Sequence, residues 1–367
     1  LFAALSVWVV ACPCAVGLAT PVALAAGLNK AARNHILIRD TSALEQMRNV
    51  DVVVFDKTGT LTEGHPTVIG WLWAQGQEEH YKDVLLAAES TSDHPLAEAI
   101  VTALEGEEQV IPAHLDGFEN ITGKGVRVAY QGAEYWVGSH KLLKDYQANL
   151  SDILADMLTQ YESDGNSIVY FGRENDLLAV IAIKDQLRVT SMEAIRELRI
   201  QDIEICMLTG DGERTASSVA GSLGIMRFVA DAMPDDKEDF IHKLQLQGKT
   251  VAMVGDGVND AQALSCADVS IAMGKGTDTL MDTAMITLRT SDLLLLPKVF
   301  RLSRQTVSLM YRNLFWAFIY NTVGIFVAAG VLYPVYDILL SPALAGAAMA
   351  LSCVSVALSS LRLSSRF

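Results

Sequence analysis

Basic residues are scarce in this sequence: 28 lysines and arginines face 43 aspartates and glutamates, a formal net charge of −15. A chain so acidic lacks the cationic surface that nucleic acid requires, which excludes nucleic acid as a partner. Cysteine is sparse too, with five residues at positions 12, 14, 206, 266 and 353. That odd, scattered set implies no disulfide framework, and two thiols separated by one residue do not close an easy disulfide. The sequence starts at Leu1 without an initiator Met or a signal-peptide pattern, so a C-terminal portion of a longer protein is expected. Charge is missing altogether from residues 1–28, 314–336 and 338–361, the last two separated by Asp337 alone. Each run meets the ~20 residues that cross ~30 Å of hydrocarbon, so membrane helices are expected over 1–28, 313–336 and 338–361.

Between these runs lies a polar, acidic body. Lys30, Arg33 and Arg39 follow the first apolar run, Arg301, Arg304 and Arg312 precede the second, and Arg362 and Arg366 follow the third. Lys/Arg enrichment marks the cytoplasmic side, which places the body in the cytoplasm and the Asp337 turn outside. Within the body, "VDVVVFDKTGTLTEG" is a β-branched run ending at Asp56 before a Gly/Thr-rich turn. "IEICMLTGD" ends at Asp211, and "TVAMVGDGVND" carries Asp256 and Asp260. Continuous apolar runs suit strands buried on both faces of a parallel sheet, and helical stretches follow each, such as residues 213–223. Alternating β and α argues a doubly wound sheet, whose ligands gather at the carboxyl ends of its strands. Three acidic strand ends then converge, and a hard cation such as Mg²⁺ is the economical reason to keep them together. From 66 to 183 the pattern changes to short alternating strands and helices without an acidic strand end. This reads as an α+β insert of normal domain size, leaving 29–65 and 184–300 as the doubly wound domain.

"DKTGTLT", "TGD", "MPDDK" and "GDGVND", in this order with a large insert after the first, resemble a P-type ATPase, a cation pump of the haloacid-dehalogenase fold. "CPC" in the first apolar run and "SDHPLAEAI" in the insert are similar to the heavy-metal branch. Tyr320 and Asn321 in the next run, with "MALSC" in the last, resemble its Cu⁺-exporting members. The resemblance covers the whole chain. It implies a phosphorylation domain over 29–65 and 184–300, a nucleotide-binding domain over 66–183, and catalytic domains on the cytoplasmic side of a multi-pass protein of the bacterial plasma membrane.

The resemblance also implies roles. Asp56 takes the γ-phosphoryl of ATP, a reaction that needs positioning and charge neutralisation more than basicity. Mg²⁺ is held by Asp56, Asp256 and the backbone carbonyl of Thr58, while Lys237 and Thr209 bind the transferring phosphoryl. Lys57, Gly210, Asp211 and Asn259 complete the motifs, and Asp260 supports the cluster. Thr58 stands where a phosphatase of this fold carries a second Asp, which suits a phospho-enzyme that persists. In the insert, Glu89, His94, Gly123 and Gly125 match nucleotide-binding positions, the glycines by letting backbone approach the nucleotide. His35, His65, His80, His114, His140 and His242 read as surface or structural.

Cu⁺ is soft and favours thiolate and thioether ligands. Cys12, Cys14, Met349, Ser352, Asn321 and Tyr320 are the expected metal residues, drawn from all three spans. In an unbroken helix, residues two apart point ~200° from each other; Pro13 disrupts the helix so both sulfurs can face one cavity. The last span reads Met-x-x-Ser-Cys where the family has Met-x-x-Ser-Ser, so Cys353 adds another soft donor. ATP-driven export of Cu⁺ or Ag⁺ is the expected activity, with membrane lipid, ATP and a copper chaperone as partners. Export of Zn²⁺ or Cd²⁺ and a membrane-anchored phosphatase are the alternatives. The family's actuator domain, earlier membrane helices and amino-terminal metal-binding domain are not in the sequence. A further expectation is therefore a pump portion that phosphorylates without completing transport, its missing N-terminal part being a partner.

Overall fold

A computed structural model describes residues 2–74, 78–92, 94–107, 109–148, 152–256, 261–274, 283–336 and 340–365. The expected site residues Asn259 and Asp260, and the expected turn at Asp337, lie outside the described residues. The chain divides into two compact units: Leu1–Asn49, Met285–Arg289 and Leu295–Phe367 form one, Val50–Ala284 and Thr290–Leu294 the other.

The first unit is mainly helical. Helices Phe2–Val10 and Cys14–Arg33 are separated at Ala11–Pro13, because Pro13 has no N–H to continue the ladder. A 34-residue helix, Leu295–Ala328, is followed by a short Tyr333–Tyr336 turn of helix and by Pro342–Ser365. Among the described residues, two segments are long and apolar enough to cross a membrane, Ala3–Arg33 and Pro342–Leu363. Of the run expected to span at 313–336, residues 313–328 form the last turns of Leu295–Ala328, which nothing interrupts between Lys298 and Leu314, so charged and apolar turns share one helix. Small residues line the helix contacts: Ala15, Ala19, Ala317 and Val356 form one buried layer and Val10, Ala328 and Ala345 another. A Cβ on Gly324 would stand 2.7 Å from the Val10 side chain, the close approach that glycine allows between packed helices. Large apolar side chains such as Trp8, Phe318, Phe326, Leu351 and Leu358 point outward. That inside-out pattern suits helices whose solvent is hydrocarbon. A strand pair, Ile36–Ile38 antiparallel to Ile286–Leu288, completes the unit.

In the second unit, five parallel strands are ordered Val269–Met273, Val251–Gly255, Val52–Asp56, Glu204–Leu208, Arg227–Val229. The chain steps to one side of Val52–Asp56 and then returns to the other, so this central strand sits at the topological switch point, where crevices open. The sheet's core is its own β-branched strands with Ile241, Leu244 and Leu264 from covering helices. A second, antiparallel sheet runs from Thr67 to Lys184 in the order Thr67–Trp73, Asp176–Lys184, Ser167–Arg173, Ala133–Gly138, Gly125–Tyr130, Gly117–Ile121. Helices Glu78–Glu89 and Pro95–Glu105 cover one face through Leu85, Leu86 and Ile100 against Val137, Phe171 and Ile181. Leu142, Leu143 and Leu158 cover the other against Trp136, Tyr170 and Val180. The alternation of Trp136 with Val137 and of Tyr170 with Phe171 is the period-two pattern of a sheet buried on both sides.

Candidate functional site

Asp56 is the last residue of the central strand, in register with Leu208, so the strand itself aims its carboxylate into the crevice. Lys237 donates from Nζ to Asp56 Oδ1 at 2.7 Å, both side chains 8% exposed. Lys237 lies in the first turn of helix Pro234–Leu246, which opens with Pro at its first position and an Asp236 carboxylate that accepts from Met233 N–H at 2.9 Å. After the Glu204–Leu208 strand, Thr209 donates to Asp211 Oδ2 at 2.8 Å and accepts from the Asp211 N–H at 3.1 Å. Asp211 pairs with the buried Lys57 ammonium. Burial pushes the Asp211 carboxyl up, but Lys57 with hydrogen bonds from Ser167 and Thr209 outweighs it and holds the group below the usual carboxylate range.

The loop after Asp56 turns tightly at Gly59, whose φ of +70° favours glycine. A Cβ there would collide with the Asp256 carboxylate, which follows strand Val251–Gly255 and lies directly against the loop. Residues that sequence reasoning missed lock this loop. Arg188, 8% exposed, donates to Gly59 O at 2.5 Å and Thr60 O at 2.9 Å. Burial lowers its guanidinium pKa against the pull of Asp185. Asp185 accepts from Thr62 Oγ1 at 2.5 Å and from Gly64 N–H at 3.1 Å. Ser191 Oγ donates to Leu61 O at 2.7 Å. Lys57 also donates to Ser167 Oγ at 3.0 Å, which ties the loop after Asp56 to the antiparallel sheet. Thr215 donates to Asn166 O at 2.7 Å beside it.

A cleft of about 450 Å³ opens between the two sheets. It is lined by Asp56, Thr58, Thr209, Gly210, Asp211, Lys237 and Asp256 from one side and by Glu89, His94, Gly123 and Gly125 from the other. Lys57 lies behind this wall, 2% exposed. Glu89 is 6% exposed, and burial pushes its carboxyl up to about 8, so it is protonated at neutral pH. His94 caps helix Pro95–Glu105: its Nδ1 accepts from Leu96 N–H at 3.2 Å, which leaves the ring proton on Nε2. Packing alone already demands glycine at both cleft positions. At Gly123 (φ +67°) a Cβ would press on Met233, and at Gly125 (φ +144°) it would strike Val137 O on the paired strand. His140, read from sequence as structural, also lines the cleft, its ring centroid 5.9 Å from that of Tyr170.

In the first unit, the helix break at Ala11–Pro13 brings Cys12 and Cys14 out on one side, exposed. They form a disulfide with Cα atoms 5.5 Å apart, which corrects the expectation that no bridge forms. The physical reason is the lost turn: with Pro13 outside the helix, the two Cβ vectors no longer diverge as on a regular helix. Reduction returns two thiols at that point. Asn321 and Ser352 are buried, and Asn321 Oδ1 and Ser352 Oγ have no hydrogen-bond partner. Both sit between the Ala317/Val356 layer and the Ala328/Ala345 layer by i, i+3/i+4 spacing. The break in the first helix falls between Val10 and Ala15 of the same two layers. Met349 packs at the edge of the second layer. Tyr320 is not brought to this level of the interior: it is 46% exposed and stacks on Trp316, since neighbours on a helix point ~100° apart. Cys353 packs with the first layer and is partly exposed.

This arrangement has relatives. The chain matches the haloacid dehalogenase-like hydrolase family over residues 50–268. It is 44% identical over 363 residues to the copper-exporting P-type ATPase of Legionella pneumophila, covering 99% of this chain and 49% of that protein. It is 44% identical over 368 residues to the silver exporting P-type ATPase of Salmonella typhimurium, covering 100% of this chain and 44% of that one. A crystal structure of a zinc-transporting PIB-type ATPase in its E2.Pi state superposes with a TM-score of 0.66 at 34% identity, covering 96% of this chain and 56% of that one. The chain therefore spans about half the length of the curated relatives it matches. On the match across the parallel sheet and its insert, the chain belongs to the haloacid dehalogenase-like hydrolase family.

Proposed function

We propose that this chain forms an aspartyl phosphate at Asp56 from ATP and couples it to export of Cu⁺ or Ag⁺ through its membrane helices. The observation that carries the proposal is the buried Asp56–Lys237 pair, 2.7 Å apart, in one cleft with Glu89, His94 and the TGD loop. ATP lies with its nucleoside against the antiparallel sheet and its γ-phosphoryl toward Asp56. The Asp56 carboxylate attacks the γ-phosphorus, an O–P bond forms, and the bond to the bridging oxygen breaks, ADP leaving with the electron pair. No proton has to move, so a neutralised, well-placed carboxylate suffices. Lys237, and the Thr209 hydroxyl once it turns from Asp211, stabilise charge on the transferring oxygens. Thr58 stands where a phosphatase of this fold carries the second Asp that activates water, so the phospho-enzyme persists. The Asp56 and Asp256 carboxylates and the Thr58 carbonyl are hard oxygen donors in one cleft, a set that fits Mg²⁺, which when bound neutralises phosphate charge.

The cargo reading rests on the donor set in the membrane helices. Two thiols at a helix break, with Met349 and the unpartnered Asn321 Oδ1 and Ser352 Oγ near the same level, suit a soft monovalent cation. A copper chaperone as donor, a multi-pass setting in the bacterial plasma membrane, and a further part of the pump that hydrolyses the phospho-enzyme belong to the same proposal. The test is γ-phosphoryl incorporation by the reduced chain with Cu⁺, Ag⁺ or Zn²⁺. We expect labelling to respond to Cu⁺ and Ag⁺ and to lose that response in Cys12→Ser/Cys14→Ser. A response to Zn²⁺ alone would replace the copper assignment by the zinc reading, which the zinc-transporting structural neighbour favours, and would leave the Asp56 chemistry standing.

A further inference from the structure

Away from the cleft, three side chains of metal-ligating type meet where helices Pro234–Leu246 and Ala261–Cys266 pack together. Glu238 and His242 are four residues apart on the first helix, hence on one face, and Cys266 ends the second. One ligand atom from each lies within 4.8 Å of the others. Cys266 Sγ is 3.3 Å and His242 Nε2 3.6 Å from Glu238 Oε1. Around a tetrahedral ion with bonds of about 2.0–2.3 Å, neighbouring ligand atoms stand roughly 3.3–3.5 Å apart, so these separations need little change to close on a cation.

The imidazole is also oriented for ligation. Gln245 donates from Nε2 to Cys266 O at 2.9 Å, which turns its Oε1 toward His242 Nδ1, 3.1 Å away. That oxygen can only accept, so Nδ1 carries a proton, and in the neutral ring Nε2 is the nitrogen left to ligate, on the side of Glu238. An outer-shell acceptor fixing the tautomer in this way is a recurring feature of histidine metal ligands. A Glu–His pair on a solvated helix face accounts for neither the thiol nor the glutamine. His242 and Glu238 side chains are 51% and 35% exposed, which leaves a route for an ion and a place for water as a fourth ligand.

We propose that Glu238, His242 and Cys266 bind a single borderline-soft divalent cation, with Zn²⁺ the best match to one N, one S and one O donor. The ion clamps Ala261–Cys266 to the helix whose Lys237, the residue before Glu238, holds Asp56. Binding replaces the Cys266 S–H proton by a metal–sulfur bond and releases that proton to solvent. Because binding releases that proton, affinity increases with pH.

The experiment uses the full chain in detergent, reduced, with Cys12→Ser and Cys14→Ser removing the membrane thiols. Zn²⁺ binding is measured by equilibrium dialysis, and Co²⁺ is added separately as a probe whose thiolate charge-transfer band reports sulfur ligation. We expect a single bound Zn²⁺, a Co²⁺–thiolate band that Cys266→Ser abolishes, and loss of Zn²⁺ affinity in His242→Ala. Gln245→Ala should weaken binding roughly 10–100-fold. His242 is half-exposed, so its variant should keep the parent's unfolding temperature, which separates a lost ligand from a lost fold. Absence of Zn²⁺ binding in the parent, or binding unchanged in both Cys266→Ser and His242→Ala, overturns the proposal.

Discussion

Glu89 gives the second unit a pH dependence that can be worked out in advance. The side chain is 6% exposed, and burial pushes its carboxyl from 4.5 up to about 8. Between those values the folded protein keeps a proton that the unfolded chain has released. Stability is therefore fully present below the unfolded pKa and is lost as pH rises through the folded one, at about 1.4 kcal/mol per pH unit. From about pH 5.5 to about pH 7.5 this one group removes about 2.5 kcal/mol. Glu89→Gln cannot titrate, so its stability relative to the parent should rise by that amount over the same interval, whatever the amide does to absolute stability. Denaturant unfolding read by tryptophan fluorescence suits the measurement, because Trp71, Trp73 and Trp136 all lie in the antiparallel sheet. A parent–variant difference that is the same at both pH values would refute a buried, protonated Glu89.

Other outcomes follow from the same geometry. Arg188→Ala leaves the carbonyls of Gly59 and Thr60 without their buried donor, and should cost about 2–4 kcal/mol in denaturant midpoint analysis; stability equal to the parent would contradict the clamp. Gly59→Ala places a side chain at φ +70° and against Asp256, a backbone cost of about 1–2 kcal/mol before the collision is relieved. Its phosphorylation should fall while nucleotide binding, followed by a fluorescent analogue, is retained; parallel loss of both would show that the loop serves binding instead. Lys237→Met should slow phosphorylation at saturating ATP by roughly 10²–10³-fold, as measured in single turnover.

The acidic strand ends were legible because each combines a local pattern with a topological rule. A β-branched run ending in Asp marks a buried parallel strand, and parallel strands present their carboxyl ends to one crevice, so Asp56, Asp211 and Asp256 could be grouped without coordinates. The insert was legible by its change of period at 66 and 183. Arg188 was not, because a lone arginine after a loop carries no local signal; its partners are carbonyls some 128 and 129 residues earlier in the chain. The Lys57–Ser167 contact was hidden for the same reason, spanning 110 residues across two sheets. The steric demand for glycine at the two cleft positions was hidden too, because it comes from Met233 and Val137 O, which only the fold brings close. Nor could the helix break at Pro13 be told from sequence to close Cys12 on Cys14. The Glu238–His242 spacing was readable, but Cys266 joins it only through packing of two helices.

Everything proposed for the cleft depends on phosphorylation of Asp56. Incubating the reduced chain with γ-labelled ATP and Mg²⁺, quenching in acid and treating the product with hydroxylamine tests it directly. Acid-stable, hydroxylamine-labile label is expected in the parent and none in Asp56→Asn, with nucleotide binding retained in both. Equal acid-stable label in Asp56→Asn, or none in a parent that binds ATP, would contradict it.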